Sequence, residues 1–483
     1  MGDIYTNPPQ SRNEAILRAT IDGTEYTDPP QSRIEDLLLE LKEVIEEIDA
    51  QLEALNTHRI YGFHIKANES DPDNMVTYLA DAVDATPAHM DYARNVFDYG
   101  TWEHAFFMPK PCMLKSDGTV AYYLKEDDYT KKADGTASDI ANTAFDGNAM
   151  MEWGQGSKIW LKIVPDEHGE GASVFIANYQ ADEDFHDYSF HNSAGVSVDH
   201  FYTPIYNGSV ISGKMRSLSG QQVSKSLTGD AEITAAKLNN PGSDEMWNTE
   251  CFADRLLINM LLILMAKNVD TQTAFGQGLN AGGSEAINNA FRTGVHNDKG
   301  LFYGTSSGAA ATYTNAVKVF GMENWFGFQW RRIRGLILSD GAFKVKLTYG
   351  QEDGSTVTGY NTDGAGYINQ NLATPSGTSG SYIVSHSFTK DGMFPKTLDG
   401  SQTTYYCAAF WYNFSGVRFA CCGGASGNEA QVGAVCLHLN SAVSYACWYI
   451  GAALSCKPLA QYMEVNEYEE KLKKITQGDD VII

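Results

Sequence analysis

The chain has 483 residues, which at about 100–200 residues per domain is enough for several cores. Hydrophobic residues make up 43% and aromatic residues 12%, so disorder along the whole length is excluded. Thirty-five Lys and Arg stand against 60 Asp and Glu, a formal charge of −25. A field of that sign repels phosphate backbones and excludes nucleic acid as a partner.

The opening MGDIYTNPPQSRNE carries no apolar stretch, so no secretory signal is expected. Two copies of one short element follow. Tyr5–Leu17 reads YTNPPQSRNEAIL and Tyr26–Leu38 reads YTDPPQSRIEDLL. In each, a proline pair precedes a helix start and Ser supplies the N-cap, with acidic residues in the first turn. Residues 1–33 read either as a docking arm used twice or as a recent duplication in a flexible arm. The second copy runs into Ile34, Leu37, Leu41, Val44, Ile48, Gln51 and Leu55, whose spacings alternate between three and four. That is an a/d seam over 34–58. It predicts a coiled coil and a homo-oligomer; the length of the seam does not separate dimer from trimer, and a homotrimer is expected. The other reading is an amphipathic helix packed on its own domain.

Residues 59–350 read as mixed α/β. Candidate helices are Asp73–Val83 and Met246–Lys267. The latter contains the apolar run Leu256–Met265, which is too short to span a bilayer, so no membrane insertion is expected. Candidate strands include Lys158–Ile163, Ser173–Ala177 and Ala342–Thr348. Asp182–His200 gathers His186, His191 and His200 among aspartates. The spacing matches no ligand motif, and a surface loop or core hydrogen bonding is the expectation. Gly276–Gly283 (GQGLNAGG) lacks the lysine and the strand context of a phosphate loop and reads as a flexible loop. No GxSxG or HExxH motif occurs, and no enzyme, cofactor or metal site is predicted. Gly350–Gly380 is rich in Gly, Thr, Ser and Asn and reads as turns leading into a last domain over 351–460. A tail over 461–483 contains the amphipathic segment Glu467–Ile475.

Thr404–Leu459 is dense in Trp, Tyr, Cys and Gly. Ala442–Ile450 reads as a strand with two apolar faces. That means either full burial or an exposed patch that marks an interaction site. Six of the eight cysteines lie between Cys407 and Cys456, none in CxxC spacing. They indicate neither zinc nor a disulfide framework, and assembly in a reducing cytosol is expected.

GG…GAVCLHLNSAVSYACWYIGAALSCKPL resembles the C-terminal variable region of diversity-generating retroelement target proteins. These include phage receptor-binding proteins with a C-type lectin fold related to the formylglycine-generating-enzyme fold. Gly321–Trp330 (GMENWFGFQW) resembles an aromatic core strand of that fold. Tyr61–His64 and the PKPCMLKSDGT stretch beginning at Pro109 resemble structural proteins of gut phages. A formylglycine-type oxidase would need a redox cysteine pair, and Cys436 and Cys456 lie in no matching context.

The resemblance implies a fixed frame of Trp411, Gly423–Gly424, Gly433, Leu437, Leu439, Trp448, Ile450, Gly451 and Leu454. It implies exchangeable, ligand-contacting sites at Phe410, Tyr412, Phe414, Cys422, Ala425, Val435, His438, Ser441, Tyr445, Cys447 and Tyr449. The expected fold class is α+β: an N-terminal coiled-coil helix, a mixed α/β middle and a C-terminal C-type-lectin-like domain. The expected function is that of a virion tail fibre or tail-tip protein. It would bind host-surface protein or glycan and reach other tail proteins through the N-terminal arm. A virion-attached polysaccharide hydrolase and a cellular adhesin diversified by the same machinery are the alternatives.

Overall fold

The computed structural model describes residues 41–42, 58–169, 171–242 and 245–459. The docking-arm repeat, nearly all of the heptad segment and the 461–483 tail lie outside the described residues. The chain divides into two compact units, 1–58 with 104–106 and 59–103 with 107–483. Among the described residues strand (33%) far outnumbers helix (12%), which replaces the expected α+β class with a mostly β architecture.

Three large sheets build it, beside three two-stranded ones. A four-stranded antiparallel sheet runs Val76–Ala80, Ile60–Lys66, Gly171–Ala177, Trp160–Pro165. A seven-stranded sheet centres on Gly147–Trp153, every residue of which is buried. A nine-stranded sheet centres on Trp330–Ser339 and Val417–Cys422. The segment 351–459 therefore does not close on itself as a separate lectin-like domain. Its sheet continues through Trp330–Ser339, and its last strand, Leu454–Cys456, pairs with Trp247–Thr249 in the seven-stranded sheet.

Local chemistry explains where helices gave way to strands. Asp73–Val83 was expected to be helical. Asp71 caps a single turn, Pro72–Met75, and the chain then enters the strand Val76–Ala80. Val76 and Thr77 are β-branched and lose side-chain freedom in a helix but pack well in a sheet. The Met246–Lys267 helix is shortened in the same way, with Trp247–Thr249 a strand and Phe252–Ala266 the helix. All fifteen helical residues are buried, as an all-round apolar helix requires. Two of its polar members are held by partners: Lys457 Nζ lies 2.9 Å from Asp254, and Asn259 donates to Ala434 O at 2.8 Å. The three strand expectations appear as Trp160–Pro165, Gly171–Ala177 and Ala342–Val345. GMENWFGFQW is mostly a buried turn rather than a core strand, with only Met322–Glu323 and Trp330 in strands.

The central strand Trp330–Ser339 carries three buried arginines, and each has a partner. Arg331 faces Glu250 at 3.2 Å, Arg332 pairs with Glu232, and Arg334 donates to Thr249 O at 2.8 Å. Buried charge is tolerated only when paired or hydrogen-bonded. These arginines tie the sheet to the elements around residues 228–250.

Candidate functional site

The strands Ala409–Tyr412, Leu437–Leu439 and Val417–Cys422 lie side by side in register. Trp411 is opposite His438, which is opposite Cys421; Phe410 is opposite Leu437, which is opposite Cys422. Successive strand residues point to opposite faces. The first row therefore lies on the outer side and the second on the inner side, against the Phe252–Ala266 helix. Trp330 and Arg332 extend the outer row on the central strand.

Ala442–Ile450 is not the expected strand. Only Ile450–Gly451 pairs, parallel to Trp330–Arg331, and the preceding residues form a loop over the outer face. Main-chain bonding nevertheless alternates along the loop. Ser441 O accepts from Phe419 N at 2.9 Å, and Val443 O from Gly229 N at 2.8 Å. Tyr445 O accepts from Arg332 Nη2 at 2.7 Å. Cys447 O accepts from Ser226 N, and Tyr449 O from Trp330 N, both at 2.9 Å. Every second carbonyl from 441 to 449 is thus fixed by the scaffold. None of these bonds uses a loop side chain, so loop side chains can change without disturbing them. Gly229 makes the close approach possible, because a Cβ there would meet Val443 Cγ2 at 2.6 Å.

Beside the loop opens a pocket of about 340 Å³, within the range of small-ligand sites. Trp330, Trp411, Trp448 and Tyr449 supply its aromatic walls, and Asn428, Asn440 and His438 its polar groups. Trp330 stands edge-on to Trp411 at 5.2 Å, and Trp448 edge-on to Tyr449 at 5.3 Å, the geometry that ring quadrupoles favour. Asn428 accepts from Ala425 N at 2.8 Å and so shapes the turn at the pocket's edge. That turn follows Gly423 and Gly424, both left-handed (φ +89 and +83), where a Cβ at 424 would meet Val432 at 2.6 Å. His438 is buried, which pulls its imidazole down to about 4 and keeps it neutral. Its Nδ1 has no partner among the described residues. Burial, together with Tyr445 and Cys447, raises the Tyr449 phenol, keeping it a neutral donor. Among the described residues no charged side chain lines the pocket.

The implied contact residues fall into three groups. Ser441, Tyr445, Cys447 and Tyr449 share the loop; Tyr445 is 43% exposed, and its hydroxyl lies 3.0 Å from that of Tyr449. His438 and Ala425 join Tyr449 at the pocket, while Tyr412 and Phe414 are half-buried and stack on each other at 4.4 Å. Phe410, Cys422 and Val435 are buried and do not line this pocket. Of the implied frame, Leu437, Leu439, Ile450 and Leu454 are core, whereas Trp411 and Trp448 are half-buried pocket walls. Sequence reasoning missed Asn428 and Asn440 as pocket residues and Ser226, Gly229 and Arg332 as anchors of the loop. Trp330 was visible only as the last letter of GMENWFGFQW. The aspartate–histidine segment does not converge on one centre: Asp187 bonds His191 at 2.9 Å and Ser197 at 2.5 Å. Among the described residues no cluster is suited to a metal.

No family model matches the chain, and no curated protein does. Among solved structures, a chain titled "Major Tropism Determinant U1 Variant" aligns at 14% identity over 72% of each chain, with a TM-score of 0.22. An overlap that loose establishes neither a common fold nor a common function.

Proposed function

We propose that this protein is a bacteriophage tail receptor-binding protein whose outer face recognises a host-surface glycan and turns over no substrate. The observation that carries the reading is the loop 441–449, held through alternate carbonyls beside a pocket walled by tryptophans. A scaffold that fixes main chain and leaves side chains free can present different residues without refolding. The resemblance of the final fifty-odd residues to retroelement-diversified regions gives such a scaffold a purpose. Aromatic walls offer negative ring faces to the C–H groups of a sugar ring. The two asparagines and the neutral histidine offer donors and acceptors to its hydroxyls, and the absence of charge at the walls favours a neutral sugar. Single-site affinity for such a ligand is weak. The heptads over 34–58, read as a homotrimer seam with the repeated arm docking to other tail proteins, would supply multivalency that multiplies avidity by orders of magnitude.

The test is binding of the purified full chain to an array of bacterial surface glycans, repeated with Trp448→Ala and Tyr445→Ala. The reading expects selective retention of neutral glycans and at least a tenfold loss with Trp448→Ala. Retention unaffected by either substitution, or no retention on any glycan, refutes it.

A further inference from the structure

The inner side of the nine-stranded sheet holds a second space. A cavity of about 40 Å³ lies between the Phe252–Ala266 helix and the strands carrying Cys422 and Leu437. It has room for one or two particles the size of a water molecule. Its lining is apolar apart from Arg255, His386, Asn259 and the thiols of Cys422 and Cys436, and no carboxylate contributes to it.

Arg255 is 2% exposed. Its Nη2 donates to Trp325 O at 2.8 Å, and its guanidinium stacks 3.8 Å above the Trp325 ring. Nε and Nη1 have no partner among the described residues. No carboxylate among the described residues forms an ion pair with it, because Glu250 is taken by Arg331. Burial pulls Arg255 down to about 10, which still leaves it charged at neutral pH. Arg331, close by, has two further unpartnered nitrogens, Nη1 and Nη2. Two guanidinium charges therefore face one carboxylate, all three groups almost wholly buried. His386, also buried, has an unpartnered Nδ1, and burial keeps its ring neutral. Asn259 is already committed to Ala434 O and to the Trp325 indole.

An unbalanced buried cation is costly, and so is each unpaired buried donor. Both costs fall if a small anion occupies the cavity. We propose that this cavity binds a single chloride-sized anion, held by the guanidinium of Arg255 and the Nδ1–H of His386. A volume of about 40 Å³ is enough for a halide. Cys422 and Val435 line the same cavity, so exchanges at those two positions would change anion affinity rather than contact a receptor. The cavity and the tryptophan-walled pocket lie on opposite faces of the sheet, so anion binding does not depend on glycan binding.

The test uses the full chain. Crystals grown in sodium bromide should show an anomalous peak within hydrogen-bonding distance of Arg255. In solution, the melting temperature should rise saturably, by about 2 °C, when sodium gluconate is replaced by sodium bromide at constant ionic strength. Arg255→Met should abolish that difference, and Arg255→Lys should keep part of it. If Arg255→Met fails to fold, the bromide diffraction still decides. No anomalous peak in the cavity, or equal melting temperatures in both salts, overturns the proposal.

Discussion

The loop 441–449 should tolerate loss of a displayed side chain far better than loss of one of its anchors, and the size of the difference follows from the contacts. Tyr445→Ala leaves Tyr445 N bonded to Ala442 O and leaves its carbonyl on Arg332. What it removes is the half-hidden part of an aromatic ring and one exposed hydroxyl contact to Tyr449. If roughly 60 Å² of apolar area is lost at about 25 cal/mol/Å², the cost is about 1.5 kcal/mol, less when the unfolded chain is compact. The exposed hydroxyl pair adds about 0.5 kcal/mol. Arg332→Met removes the donor to Tyr445 O and Leu227 O and leaves Glu232, 1% exposed, without its partner. Breaking one side of a buried ion pair costs about 3–5 kcal/mol. Guanidinium unfolding of the full chain, with midpoints converted through a common slope, measures both. Equal costs for Tyr445→Ala and Arg332→Met, or a cost under about 1 kcal/mol for Arg332→Met, would contradict anchoring through Arg332.

Other outcomes follow from the same geometry. Gly229→Ala places a methyl against Val443 and should push the loop outward, weakening glycan retention severalfold for a stability cost of about 1–3 kcal/mol; unchanged retention contradicts the anchoring role. Trp448→Phe should retain more binding than Trp448→Ala, read by titration calorimetry, because a ring remains on the pocket wall; equal losses would argue against stacking. Buried His386 is pulled down to about 3, so its neutral form is part of the fold. A depressed histidine contributes stability that is complete above its unfolded value, about 6.5, and is lost as pH falls toward its folded value. His386→Gln should therefore lessen the fall of stability between pH 6 and pH 4 by about 1.4 kcal/mol per pH unit. Parallel curves for the two proteins would show that His386 titrates normally.

The sequence announced some features more clearly than others. The unbroken run Leu256–Met265 has room for only one structure, a buried helix, and that is what it forms. The three short β-branched strands were legible for the same reason: few competing patterns fit them. Asp73–Val83 misled because its cap, Asp71, and its first turn are those of a helix, while the residues deciding its fate belong to a sheet partner distant in sequence, Ile60–Lys66. The alternation in Ala442–Ile450 was real but was misassigned. It lies in carbonyls bound by Phe419, Gly229, Arg332, Ser226 and Trp330, not in side chains facing a core and a surface. Those five donors come from three separated stretches of chain, which no local pattern can disclose. The same holds for the pocket, where Trp330 meets Trp411 and Trp448 only after the sheet has formed. The inward direction of Phe410 and Cys422 depends on strand register, and a shift of one residue would have turned both outward.

Which side chains are exchangeable can be read by resequencing this coding locus across one natural population. Substitutions should concentrate at the codons for Tyr445, Cys447 and Tyr449, arising at adenines of a neighbouring template copy, while Trp448 and Gly451 stay constant. Substitutions spread evenly through 440–456, or an invariant loop with no template copy nearby, would contradict it.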